Sequence, residues 1–103
     1  MDENQYDYEF SPLAERDLDE IFDYITRELC SPQATEDLID KIQSAVERVC
    51  EFPFSCPLLG NPTLRKKGYR LLIVESLNIF YVVEGKVVIR RILHGRRNYE
   101  CLL

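Results

Sequence analysis

Apolar and polar positions change their period twice along this 103-residue chain. In Gln5–Phe10, Tyr6, Tyr8 and Phe10 alternate with Asp7 and Glu9, which predicts a short strand. From Pro12 to Leu29 the period becomes helical. Leu18, Ile21, Phe22, Ile25 and Leu29 fall on one face. A second helix is expected from Pro32 to Phe52, with Leu38, Ile42, Ala45, Val46 and Val49 on its stripe. Both helices open alike. SPLAERDL (11–18) and SPQATEDL (31–38) each offer a serine N-cap, a proline at the first helical position, and acids in the first turns. The segments diverge after the leucine, so the echo marks two helix starts and not a duplicated unit. The short connection makes the helices antiparallel neighbours.

Pro53–Gly68 reads as loop, because three prolines and two glycines interrupt regular structure over sixteen residues. A loop of that length in a compact domain is usually functional or held by packing. The strand period then returns in Tyr69–Val74, Leu77–Val83 and Val87–His94, with Glu84-Gly85-Lys86 as a hairpin turn. Short connections make these strands antiparallel. Alternation puts Arg90 and His94 on one face, and Arg91 on the other with Val87, Ile89 and Leu93. Both parities are largely apolar, so neither sheet face is fully solvated. The expected fold is α+β, in the order β-α-α-β-β-β: an antiparallel sheet with an N-terminal helical hairpin packed on one face, as a single domain over residues 1–103.

Composition adds limits. The chain is 46% apolar and 30% charged, with four glycines and five prolines, as in an ordinary globular protein. No apolar run approaches the roughly 20 residues of a membrane span. The N-terminus MDENQYDYEF is acidic where a signal peptide would be basic and then apolar, so a cytoplasmic location with no membrane partner is expected. Cys30, Cys50, Cys56 and Cys101 form no C-x-x-C pair, and with one histidine they offer no zinc set. Reduced thiols, no metal and no cofactor are the expectation.

The net charge of −5 hides a division. Residues 1–64 carry 15 acidic and 4 basic side chains, whereas residues 65–103 carry 3 acidic and 9 basic ones. Asp17, Glu20, Glu28, Glu36, Asp37, Asp40 and Glu47 are expected on the outer, solvated faces of the helices. They would repel nucleic acid from that side. In the basic half, Arg65, Lys66 and Lys67 precede the strand that opens with Tyr69 and Arg70. The stretch RRILHGRRNY (90–99) adds Arg90, Arg91, His94, Arg96, Arg97 and Tyr99. Converging at one end of the sheet, these groups would form an anion site, because guanidinium forks match phosphate oxygens bidentately. Such a patch suits an RNA backbone or an acidic protein segment. RNA cleavage would also need a 2′-hydroxyl deprotonated, phosphorane charge stabilised and a leaving oxygen protonated. His94 alone cannot serve both proton transfers, so Tyr99, an arginine or a lysine would share them.

The run YEFSPLAERDLDEIFDYI, the SPQA helix start and GYRLLIVESLNIFYVVEGKVVIRRILHGRRNYECLL together resemble the RelE/ParE superfamily of bacterial toxins. The resemblance implies the α+β toxin fold and a type II toxin–antitoxin pair, in which a cognate antitoxin wraps and silences the toxin. It implies one of two actions. RelE-like members enter the ribosome and cut mRNA, and ParE-like members inhibit DNA gyrase without nuclease activity. Arg70 matches the arginine that contacts the scissile phosphate in the nucleases, and Arg97 a second phosphate-stabilising arginine. His94 and Tyr99 lie near the position of a proton-transfer or stacking residue. Arg65, Lys66, Lys67, Arg90 and Arg96 would hold phosphates. On these residues the expected activity is a ribosome-dependent mRNA endonuclease, with gyrase inhibition as the alternative and loss of toxicity as a third reading. Two features pull toward the alternative: the chain is acidic where the nucleases are basic, and HGRRN (94–98) resembles the H-x-x-R-D ending of the ParE branch. The charge division further predicts that the antitoxin tail covers the basic sheet edge with acidic residues.

Overall fold

A computed structural model describes residues 6–95 and 102–103. Serine–proline pairs start both long helices as expected. In α1 (Pro12–Leu29) the Ser11 hydroxyl accepts from Ala14 N at 3.1 Å. In α2 (Pro32–Glu51) Ser31 does the same for Ala34 N at 3.3 Å. α1 ends on Cys30 in the left-handed conformation, its N–H returning to Thr26 O. Glu15 sits in the first turn of α1, but α2 has no acid there, and Glu36 and Asp37 come one turn later.

Within the segment read as loop lies a further short helix, α3 (Pro62–Lys66), capped by Asn61 Oδ1 through Thr63 N and Leu64 N at 3.0 and 3.1 Å. The strands are β1 (Tyr8–Phe10), β2 (Arg70–Val74), β3 (Leu77–Val83) and β4 (Val87–His94), in the order β1-β4-β3-β2. β2, β3 and β4 are antiparallel, as their short turns require. β1 is different: it runs parallel to β4, with Tyr8 opposite Val87 and Phe10 opposite Ile89. The sheet is therefore mixed, a correction to the wholly antiparallel expectation. The reason is connectivity. The helical hairpin and β2–β3 separate β1 from β4, so no tight turn dictates their direction. Val87 N donates to Asp7 O at 2.8 Å and Ser11 N to Ile89 O at 2.9 Å, which fixes the register.

A bulge alters the last strand. Tyr81 faces Ile89 and Phe80 faces Arg91, so Arg90 is the extra residue. The insertion reverses the alternation. Val87, Ile89 and Ile92 all pack into the core beneath the helices, with Ala14, Ile42, Val46, Val49, Leu77, Ile79 and Tyr81. Leu93 and Phe80 turn to the opposite face, where Leu59 and Leu64 complete a second cluster that Tyr69, Leu71, Leu102 and Leu103 flank. The expected grouping of Val87, Ile89 and Leu93 on one face thus fails at a single residue.

Asp17 is a second departure. It is only 8% exposed, not on the solvated face. Its carboxylate takes Arg91 bidentately, Nε at 2.8 Å and Nη2 at 3.0 Å, and also accepts from Ile92 N at 2.9 Å. A carboxylate this far from water is tolerated because each oxygen has a donor. The same pairing pushes the Arg91 pKa upward, with burial opposing the shift. No described helix is long and apolar enough to cross a membrane.

Candidate functional site

Arg70 opens β2, and the Leu72 and Val74 parity turns its side chain toward the helix side of the sheet. Its guanidinium is committed to main chain. Nη1 donates to Cys56 O at 2.6 Å and to Phe54 O at 3.3 Å, and Cζ lies 5.1 Å from the centre of the Phe54 ring. Tyr81, opposite Arg70 in the ladder, adds a 2.9 Å bond from its hydroxyl to Pro53 O. Sheet side chains therefore hold the 53–56 segment in place.

His94 ends β4 at the other end of the sheet. The ladder pairs Arg70 with Tyr81 and Tyr81 with Ile89, whereas Val74 pairs with Leu77 and Leu77 with His94. Four residues along the strands and two strands across separate Arg70 from His94, about 13 Å by about 10 Å at ordinary strand spacing. One phosphate cannot bridge them. His94 Nε2 instead lies 3.1 Å from Ser76 Oγ, and the ring borders a hollow of about 400 Å³ with Asp17, Glu20, Ile21, Tyr24, Ile25 and Ile92. That lining offers an anion no lysine or arginine, only the Glu20 carboxylate and an Asp17 already paired with Arg91, so it is unsuited to an anion.

The remaining cations are dispersed. Arg65 and Lys66 are exposed in the last turn of α3, and Lys67 caps it. α3 is seated through Leu64 on the second cluster, on the sheet face opposite the helices and away from Arg70. Arg90 sits at the bulge and pairs with Glu84 Oε1 at 2.8 Å. With Arg91, Tyr69, Ser11, Pro12 and Leu13 it lines a hollow of about 340 Å³. Here two arginines lie beside a tyrosine, and both guanidinium groups are already neutralised, by Glu84 and Asp17. Lys86 is likewise paired with Glu9. Arg96, Arg97 and Tyr99 lie outside the described residues. Among the described residues, no group of three histidine, cysteine or acidic side chains is placed to hold a metal.

Two features were not foreseen from sequence. The first is an apolar hollow of about 320 Å³ between the helical hairpin and β1, lined by Tyr8, Phe10, Leu18, Phe22, Ile39, Ile42 and Val46 among others. It continues past Tyr8, Phe10, Leu18 and Phe22 to a rim of Glu9, Glu15 and Asp19. Its signal was present in the alternation of Tyr8 and Phe10 and the helical spacing of Leu18 and Phe22. The second is Phe52 and Phe54, both largely exposed on either side of buried Pro53.

This architecture is shared with a known class. A chain of the chromosomal ParDE TA system from P. aeruginosa superposes with a TM-score of 0.72 at 18% identity, covering 90% of this chain and 99% of that one. At that identity the likeness is one of fold. The sequence match is more specific: the family model for the ParE toxin of the type II toxin-antitoxin system parDE aligns with residues 8–99. The chain belongs to this family, within the RelE/ParE superfamily of type II toxins. No curated protein matches it.

Proposed function

We propose that this toxin acts by binding DNA gyrase and blocking its supercoiling activity, and that it does not cut RNA. The observation that carries this reading is the match to the ParE toxin family over residues 8–99. The geometry supports it. A ribonuclease needs phosphate-gripping and proton-transfer groups around one phosphate. Arg70 and His94 stand at opposite ends of the sheet, and Arg70 is engaged by the carbonyls of Phe54 and Cys56. A gyrase binder needs neither group free.

The partner that silences it is a cognate antitoxin. Its seat is the apolar hollow between the helical hairpin and β1, which suits the apolar face of an amphipathic segment. The rim acids Glu15 and Asp19, beside a Glu9 already paired with Lys86, favour basic residues on that segment, in place of the acidic ones that the charge division alone suggested.

Two assays run in parallel test the reading: supercoiling of relaxed plasmid by gyrase, and mapping of mRNA ends on programmed ribosomes. The purified toxin is expected to block the first and leave mRNA intact in the second, with both effects unchanged in His94→Gln. Codon-specific mRNA cleavage with normal supercoiling would reverse the assignment in favour of the nuclease.

A further inference from the structure

The chain between α2 and α3 displays two large aromatic rings to water. Phe52 is 63% exposed and Phe54 59%, more than any other exposed aromatic side chain described. A mobile loop would let such rings fold away. Here the main chain is fixed beneath them. Phe52 O accepts from Ser55 N at 3.1 Å and Ser55 Oγ at 2.7 Å. Pro53 O accepts from Tyr81, Phe54 O and Cys56 O from Arg70, and Pro57 O from Leu71 N at 3.1 Å. Pro53 is buried between the two rings' residues. Arg70 covers one side of the Phe54 ring, and Tyr6 meets it edge-on at 6.5 Å. The rings therefore project from a base whose conformational entropy was lost on folding, so little remains to be lost on binding.

The fold gains little from leaving both rings in water. Rigid, exposed aromatic side chains beside an arginine are the composition of interface anchors. Charge decides the kind of partner. Glu47 and Glu51 follow one another on the last turns of α2, and Asp7 adjoins Tyr6. Asp7 and Glu47 lie close enough to Cys50 to help raise its thiol pKa, after burial itself. The Arg70 charge is directed at carbonyls. Arg48 lies on the same last turn of α2, so around the rings three carboxylates face one guanidinium that is not directed at carbonyls, a net acidic balance that favours a protein surface with basic side chains over phosphate.

We propose that Phe52 and Phe54 are the anchor through which this toxin engages its cellular target, and that the target offers an apolar pocket edged by lysine or arginine. The inference rests on the toxin reading above but not on the target being gyrase. Phe52→Ala and the double variant Phe52→Ala/Phe54→Ala test it. The single variant leaves the Arg70 and Tyr6 contacts of Phe54 in place, so its fold is retained. Thermal midpoints and titration with antitoxin report folding. The midpoint for supercoiling inhibition is expected to rise about tenfold in the single variant and about a hundredfold in the double one, the range of anchor truncations. Growth arrest on induction in cells lacking antitoxin is expected to be lost in the double variant. Unchanged growth arrest and inhibition in both variants would overturn the anchor. So would sedimentation showing that the rings join two copies of this chain, or a loss of nucleic-acid binding in the variants. If wild type arrests growth without touching supercoiling, the gyrase reading fails, and the growth phenotype of the variants still decides the anchor.

Discussion

Tyr81 shows how one side chain can serve the core and a loop together. Its ring is fully buried beneath the helices, and its hydroxyl holds Pro53 O at 2.9 Å. Burial pushes the phenol well above its ordinary value of 10, since a phenolate there would be stripped of water, and a hydrogen bond with Cys56 adds to the shift. Cys50 is raised from its ordinary 9.0 by burial, then by Asp7 and Glu47. Both groups hold their protons more tightly folded than unfolded. Their contribution to stability is thus complete below the unfolded values and is lost as pH climbs through 9 and then 10. Tyr81→Phe leaves the buried Pro53 carbonyl unpaired and should cost about 1–3 kcal/mol at neutral pH. It should also flatten the alkaline decline. Urea unfolding of both proteins at about pH 7 and about pH 10.5 checks this, and an equally steep loss in the variant would place the alkaline sensitivity elsewhere.

At the scale of elements, the two serine caps look equivalent in sequence and are unequal in the fold. Among the described residues Ser31 Oγ caps α2 and bonds to nothing else, whereas Ser11 Oγ caps α1 and also donates to Arg90 O at 2.8 Å, the carbonyl of the bulged residue. Ser31→Ala should cost about 1 kcal/mol. Ser11→Ala should cost about 2–3 kcal/mol, because a strand carbonyl loses its partner as well. Differential scanning calorimetry would separate them by several degrees in a domain of this size, and equal midpoints would show that the second bond contributes nothing. The contrast also marks how far sequence pattern reaches. Caps, prolines and apolar spacing are local, so α1, α2 and the three later strands were legible almost to the residue. α3 carries the same signal in Asn61-Pro62, which the surrounding prolines and glycines concealed. The parallel pairing of β1 with β4 depends on contacts across about 80 residues of chain, which no local pattern encodes, whereas the bulge at Arg90 lies within the β3–β4 hairpin and is hidden because both parities of β4 are largely apolar. The misplacement of Asp17 is of another kind. It lies three residues after Ala14 and four before Ile21, on the buried stripe, but its partner Arg91 is 74 residues away.

Across the whole molecule, composition suggested one basic surface, and folding divides it instead. Arg90 pairs with Glu84, Arg91 with Asp17 and Lys86 with Glu9, so three cations of the basic half are offset where they stand. Charge on the acidic side is less compensated. Glu15 and Asp19 on the rim of the apolar hollow belong to no described ion pair, and neither do Arg65, Lys66 and Lys67 on α3 across the sheet. If the antitoxin enters at the hollow, the rim acids steer it and the α3 cations do not. Steering acts on the encounter, so it changes the association rate far more than dissociation, and salt weakens it over a Debye length of about 8 Å at physiological strength. Glu15→Lys/Asp19→Lys should therefore slow antitoxin association about tenfold at low salt, with the difference fading above about 0.5 M. Lys66→Gln/Lys67→Gln should leave the rate nearly unchanged. Stopped-flow association across a salt series distinguishes the faces: a rate that drops with the α3 variant and not with the rim variant would move the antitoxin to the opposite side of the sheet.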